Sequence, residues 1–137
     1  MTQGCQCAGC RNYEQAVDAL PHQVSAFFDT LGIHMKKAAE VYTNRTEPDG
    51  TVFYGGFYHL CGRLLKGESP WTSVPTGDEM VKLARWDHEK TISLSPRFFC
   101  AFQEECALVE EGFPRPVIQL EIEAYLPWVL AEPNPYL

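Results

Sequence analysis

The residues best equipped for chemistry come almost first in the chain. Cys5, Cys7 and Cys10 stand as C-Q-C-A-G-C, a density of thiols that ordinary core packing does not require. Zinc takes four thiolate or imidazole ligands in a tetrahedron, with Zn–S near ~2.3 Å. Cys7-Ala8-Gly9-Cys10 has the C-x-x-C spacing of one arm of such a site, and its small middle residues let backbone amides approach the sulfurs. Cys5, two residues upstream, is able to fold back as a third ligand. The pattern points to a structural zinc clip at a chain end, although copper(I) or an iron–sulfur cluster also suits soft thiolates. A redox pair is the other chemistry of C-x-x-C. That motif usually opens a helix after the strand of a βαβ unit, and only four residues precede Cys5.

A three-thiol clip needs a fourth ligand. The candidates are His59, Cys61, Cys100, Cys106, His22, His34 and His88. His59 and Cys61 are two apart in a stretch with strand character, so they share one face. A firm strand is a good anchor for a mobile end, and His59 is the favoured partner. The expected metal set is therefore Cys5, Cys7, Cys10 and His59. Four protein ligands leave no open position for water, so the ion would hold the fold and activate no nucleophile. Cys61, Cys100 and Cys106 have a plainer default as small, inert, buried side chains.

A second constellation lies near the C-terminus. Gln119, Glu121 and Glu123 alternate with Ile118, Leu120, Ile122 and Ala124, while His59 and Arg63 share a face on an earlier strand. If the two strands are neighbours, carboxylates and cations meet across the sheet, either as solvent-facing ion pairs or as a polar cleft with Tyr54, Tyr58 and Trp71 as aromatic walls. A carboxylate acid/base pair would need one member raised by burial. Asp87-His88-Glu89 lacks the second histidine of H-E-x-x-H, and no G-x-S-x-G, P-loop or dinucleotide glycine pattern occurs.

The elements that must position these residues follow from periodicity. Asn12 to Leu20 carries Tyr13, Ala16, Val17 and Leu20 at helical spacing. Pro21 suits the first turn of a second helix with Val24, Phe27, Phe28 and Leu31 on its apolar face, and Gly32 marks its end. From Lys36 the period becomes that of a strand. Glu47-Pro48-Asp49-Gly50 is a turn, and Thr51 to Leu65 reads as a long aromatic strand returning antiparallel, with Gly55-Gly56 as a bulge or a close backbone approach. Lys66 to Gly77 reads as loop; Asp78 to Trp86 is ambiguous, with Gly77-Asp78 able to open a short helix carrying Met80, Val81 and Leu83; and Thr91 to Phe99 has strand propensity that Pro96 limits to an edge or a bulge. Phe102 to Glu111 reads as a helical turn or an irregular segment. Val117 to Leu126 is the clearest strand, and the prolines after it make an extended tail. The expected fold is one α+β domain over 1–137, with a cysteine clip at 1–12, helices at 13–32, a largely antiparallel sheet of about four strands at 36–126 covered on one face by the helices, and a tail at 127–137.

The 137 residues carry a net charge of −7, 45% hydrophobic and 12% aromatic side chains. That suits a globular chain with its own core. The acidic surface repels phosphate backbones and anionic lipid, so nucleic acid and membrane are not expected partners. No stretch reads as a membrane span or a secretory signal, and the expectation is a cytoplasmic protein with reduced thiols.

Three stretches together, the C-x-C-x-x-C followed by Arg11-Asn12, the G-x-x-Y-H-x-x-G-R of Gly55 to Arg63, and Gln119-Leu120-Glu121 running to Leu126-Pro127-Trp128, resemble a small family of uncharacterised bacterial proteins. The resemblance spans nearly the whole chain. It implies a bacterial, cytoplasmic, single-domain protein and supplies no catalytic residues. The function expected from the residues is a zinc-stabilised interaction or ligand-binding module, with a protein or small molecule as partner. The alternatives are a metal- or thiol-dependent enzyme using an open metal position or the Glu121/Glu123 cleft, and a toxin-neutralising or regulatory partner protein.

Overall fold

A computed structural model of the chain describes residues 7–62, 71–75, 82–86, 91–104 and 106–137. Helix α1, Ala8–Ala16, continues through a 3-10 turn at Val17–Ala19, and Pro21 then caps α2, His22–Thr30. α1 begins four residues before the start its apolar spacing suggests. Cys7, in extended conformation, acts as its N-cap, and the Cys7 sulfur accepts the Cys10 N–H at 3.4 Å. Sulfur is not among the usual capping atoms, so this start carries no sequence signal. Past α2 the chain turns through Gly32 at φ +70, a conformation that glycine alone takes cheaply.

The main sheet has five antiparallel strands rather than about four. Its order is β1-β2-β7-β6-β5, with β1 Glu40–Thr46, β2 Val52–Cys61, β5 Ile92–Ser95, β6 Phe98–Gln103 and β7 Val117–Leu126. The extra strand arises because Thr91 to Phe99 is not one strand. It turns at Pro96-Arg97, and β6 runs on into Phe102 and Gln103, which the sequence suggested were helical or irregular. Separately, β3, Trp71–Pro75, and β4, Lys82–Trp86, pair as an antiparallel ribbon. β3 thus lies inside the stretch read as loop, and Leu83 belongs to a strand instead of a helix. The expected helical residues Met80 and Val81 lie outside the described residues.

Strand alternation divides the sheet into two unlike faces. Val52, Tyr54, Tyr58, Leu120, Ile122, Ala124, Leu126, Phe98 and Cys100 point to the face where both helices pack with Tyr13, Ala16, Val24 and Phe28. Phe28 makes edge-on contacts with Tyr58 and Phe98, and Tyr13 with Tyr54. Burying phenols is tolerable because each finds a partner. The Tyr13 and Tyr58 hydroxyls bond each other, Tyr58 donates to the Met35 carbonyl at 2.6 Å, and Tyr54 donates to the Gly9 carbonyl at 2.8 Å.

The tail after β7 does not simply extend; it returns across the start of α1. Fully buried Asn12 donates to the Pro127 carbonyl at 3.1 Å and accepts the Val129 N–H at 2.7 Å. Arg11 pairs with Glu132, and the Gly9 N–H reaches the Tyr136 hydroxyl at 3.3 Å. No helix among the described residues is long and apolar enough to cross a membrane.

Candidate functional site

The second face of the sheet is the unusual one. β2 and β7 are neighbours, with Phe57 opposite Glu121, His59 opposite Gln119 and Gly55 opposite Glu123. β6 sets Ala101 and Gln103 on the far side of Glu121 and Gln119, and β1 sets Tyr42 and Glu40 beside Gly55 and Phe57. These positions all carry side chains to the face away from the helices. The alternation of β7 suggested one core face and one face toward water or a cleft. In the central strand both are covered, and Gln119, Glu121 and Glu123 are only 2%, 4% and 7% exposed.

A buried carboxylate is costly unless hydrogen-bonded. Here Gln103 Nε2 and Gln119 Nε2 both donate to Glu121 Oε1, each at 2.6 Å. Gln119 is held in turn, since its Oε1 accepts the Ala107 N–H at 2.8 Å and lies 2.9 Å from His59 Nε2. With that oxygen as acceptor, His59 carries its proton on Nε2. His59 stands between Phe57 and Phe113, with ring centroids 5.6 and 6.0 Å away. The result is a connected polar row, His59–Gln119–Glu121–Gln103, lying across three strands.

Three members of the row, Gln103, Gln119 and Glu121, line a cavity of about 280 Å³ together with Tyr42, Phe57, Cys106 and Ala107. Tyr42 owes its place to Gly55. A Cβ at Gly55 would come within 2.4 Å of the Tyr42 ring, so only a glycine lets that ring lie flat on the sheet. Gly55-Gly56 is thus a close approach, as one of its two sequence readings held; at Gly56 the same test meets the Glu40 carbonyl at 2.6 Å. Burial pushes the Tyr42 hydroxyl above its ordinary pKa, and the carboxylates of Glu121, Glu123 and Glu40 push it further. The Cys106 thiol at the rim is also raised, by burial and by Glu121, with Arg115 opposing.

The thiol cluster lies elsewhere. Cys7 is exposed and Cys10 buried at the start of α1, on the helix side of the sheet. His59 and Cys61 point from β2 to the opposite face, where His59 meets Gln119. The sheet therefore does not bring His59 to Cys7 and Cys10, and Cys5 lies outside the described residues, as does Arg63. Among the described residues no group of three or more His, Cys, Asp or Glu is arranged to hold a metal ion. Cys100 is a packed core thiol whose burial pushes it up to about 12. Glu121, Gln119 and His59 do come together, as the strand spacing suggested. Tyr42 and Phe57 were visible only as strand residues, and Gln103 was hidden in a segment with no clear period. The paired glycines were the one signal that something lies close against β2. No protein-family model, no curated protein and no solved structure matches this chain.

Proposed function

We propose that this protein is a small-molecule-binding domain whose site is the covered polar face of the sheet and whose ligand is a compact organic cation, an amine or a guanidinium. The observation that carries the reading is a carboxylate, Glu121, 4% exposed at the floor of a cavity of about 280 Å³ with Tyr42 and Phe57 among its walls. Small-molecule sites are concave and largely apolar, with a few fixed polar groups that orient the ligand. Aromatic faces beside a carboxylate suit a cation, which gains from the ring quadrupole and from the charge. The two glutamine amides hold Glu121 Oε1 in one direction, so the carboxylate is oriented before any ligand arrives. The cavity sits near the lower end of ligand-site volumes, which argues for a small guest.

The test is a calorimetric titration with tetramethylammonium and ethylguanidinium, each beside a neutral isostere. Binding of a cation and not of its isostere is expected, with Glu121→Gln weakening it at least about tenfold, or ~1.4 kcal/mol. Equal binding of neutral and charged probes, or an unchanged affinity in Glu121→Gln, would overturn the reading.

A further inference from the structure

The first turn of α1 carries a second chemistry, on the opposite side of the sheet from the cavity. Cys7 is the N-cap and is exposed, while Cys10, one turn on, is 4% exposed against the core. The two are already in contact, the Cys10 N–H pointing at the Cys7 sulfur at 3.4 Å. The rise and radius of an α-helix place Cα atoms three residues apart about 5 Å from each other, and a disulfide spans Cα separations of ~4.4–6.8 Å. The turn between them is pinned. A Cβ on Gly9 would meet Thr43 Cγ2 at 2.8 Å and the Tyr136 hydroxyl at 3.0 Å, and the Gly9 carbonyl accepts the Tyr54 hydroxyl. β1, β2 and the tail thus fix the backbone that sets the two sulfurs relative to each other.

We infer that Cys7 and Cys10 form a dithiol that exchanges with small disulfides, Cys7 attacking and Cys10 resolving. The sequence objection to a redox pair was that no βαβ unit precedes the motif. The structure meets the part of that requirement that matters chemically, because the C-x-x-C does open a helix, with its first cysteine exposed and its second buried. The Cys7 thiolate attacks one sulfur of a disulfide R–S–S–R, forming Cys7–S–S–R and releasing RS⁻. Cys10 then loses its proton to solvent and attacks the Cys7 sulfur, forming the Cys7–Cys10 disulfide and releasing the second RS⁻. The dithiol gives up two electrons, and the small disulfide is reduced to two thiols.

The probe is glutathione disulfide, applied to the full chain carrying Cys5→Ser so that the peptide ending at Arg11 holds only Cys7 and Cys10. Mass spectrometry should find that peptide two hydrogens lighter after oxidation. Adding Cys10→Ser should trap one glutathione on Cys7, and Cys7→Ser should abolish the adduct. Alkylation of the reduced chain should label Cys7 at least about tenfold faster than Cys10. An adduct on Cys10 in preference to Cys7, exchange confined to Cys61 or Cys106, or thiols that react only after a chelator removes one zinc per chain would each overturn the inference. Should Cys10→Ser fail to fold, the oxidised peptide of the Cys5→Ser chain decides alone.

Discussion

Asn12 is the side chain on which the joint between α1 and the tail depends, and replacing it by alanine gives the sharpest stability prediction. It is fully buried and makes three side-chain hydrogen bonds, to the Tyr54 hydroxyl at 3.2 Å, to the Pro127 carbonyl at 3.1 Å and from the Val129 N–H at 2.7 Å. Each is worth about 1 kcal/mol net, and leaving a buried partner unsatisfied costs more, about 1–3 kcal/mol. Tyr54 keeps its bond to Gly9, and the Pro127 and Val129 groups are only partly buried, so water recovers some of the loss. Asn12→Ala should therefore cost roughly 2–3 kcal/mol of a total stability of about 5–15 kcal/mol. At roughly 3–5 °C per kcal/mol for a chain of this size, Tm falls by about 6–15 °C. Urea unfolding gives the free energy, and hydrogen exchange at the Val129 amide gives the local reading. A variant within about 0.5 kcal/mol of wild type, the range of ordinary surface changes, with Val129 still protected, would refute the account. Asn12→Asp, which keeps an acceptor for Val129 but loses the donor to Pro127, should be at least as damaging.

Burial raises Tyr13, Tyr54 and Tyr58 above the ordinary value of 10.0, Tyr54 to about 12. A group whose folded pKa is raised contributes stability in full below the unfolded value and loses it as pH rises through the folded one. Between about pH 10 and 12 the protein should thus lose stability, with tyrosinate absorbance from these three residues rising together with unfolding and not before it. The Arg11 guanidinium bonded to Glu132 holds that carboxyl below its ordinary 4.5; its contribution is present above that value and fades as pH falls through the folded one, so Glu132→Gln should flatten the acid limb of urea midpoints measured against pH. Gly55→Ala forces the Tyr42 ring off the sheet. Because Tyr42 is 38% exposed and free to swing outward, stability should change by less than about 1 kcal/mol, while cation binding in the calorimetric assay weakens clearly. Retention of full affinity would show that Tyr42 is not a wall of the site.

The elements legible in the sequence were those whose signals are local. The 47–50 turn joining β1 to β2, the glycine stop after α2 and the two-residue alternation of β7 all depend on neighbours along the chain, and each stands where its signal fell. The pairing of β2 with β7, on which the Glu121 site depends, was conditional in the sequence, because no local pattern says which strands meet. The burial of Glu121 and Glu123 was not legible at all. An I-Q-L-E-I-E alternation normally means one wet face, whereas at Glu121 the glutamine amides of two strands and the loop through Ala107 help make a dry one tolerable. The start of α1 was missed because its cap is a sulfur, and that miss hid the exposed and buried split between Cys7 and Cys10.

The return of the tail to α1 also bears on the order in which the fold can assemble. Arg11, Asn12 and Gly9 find partners 115 to 127 residues away, among the most distant contacts a chain of 137 residues can make. During synthesis α1 emerges well before the groups that satisfy its first turn. Isolated, a nine-residue helix is marginal in water. The ribosome-bound chain should therefore hold α1 undocked, with β1 and β2 already paired, until Pro127 to Tyr136 clears the exit tunnel. The seam between α1 and the tail then closes as a single late event, slow for the loop it must span.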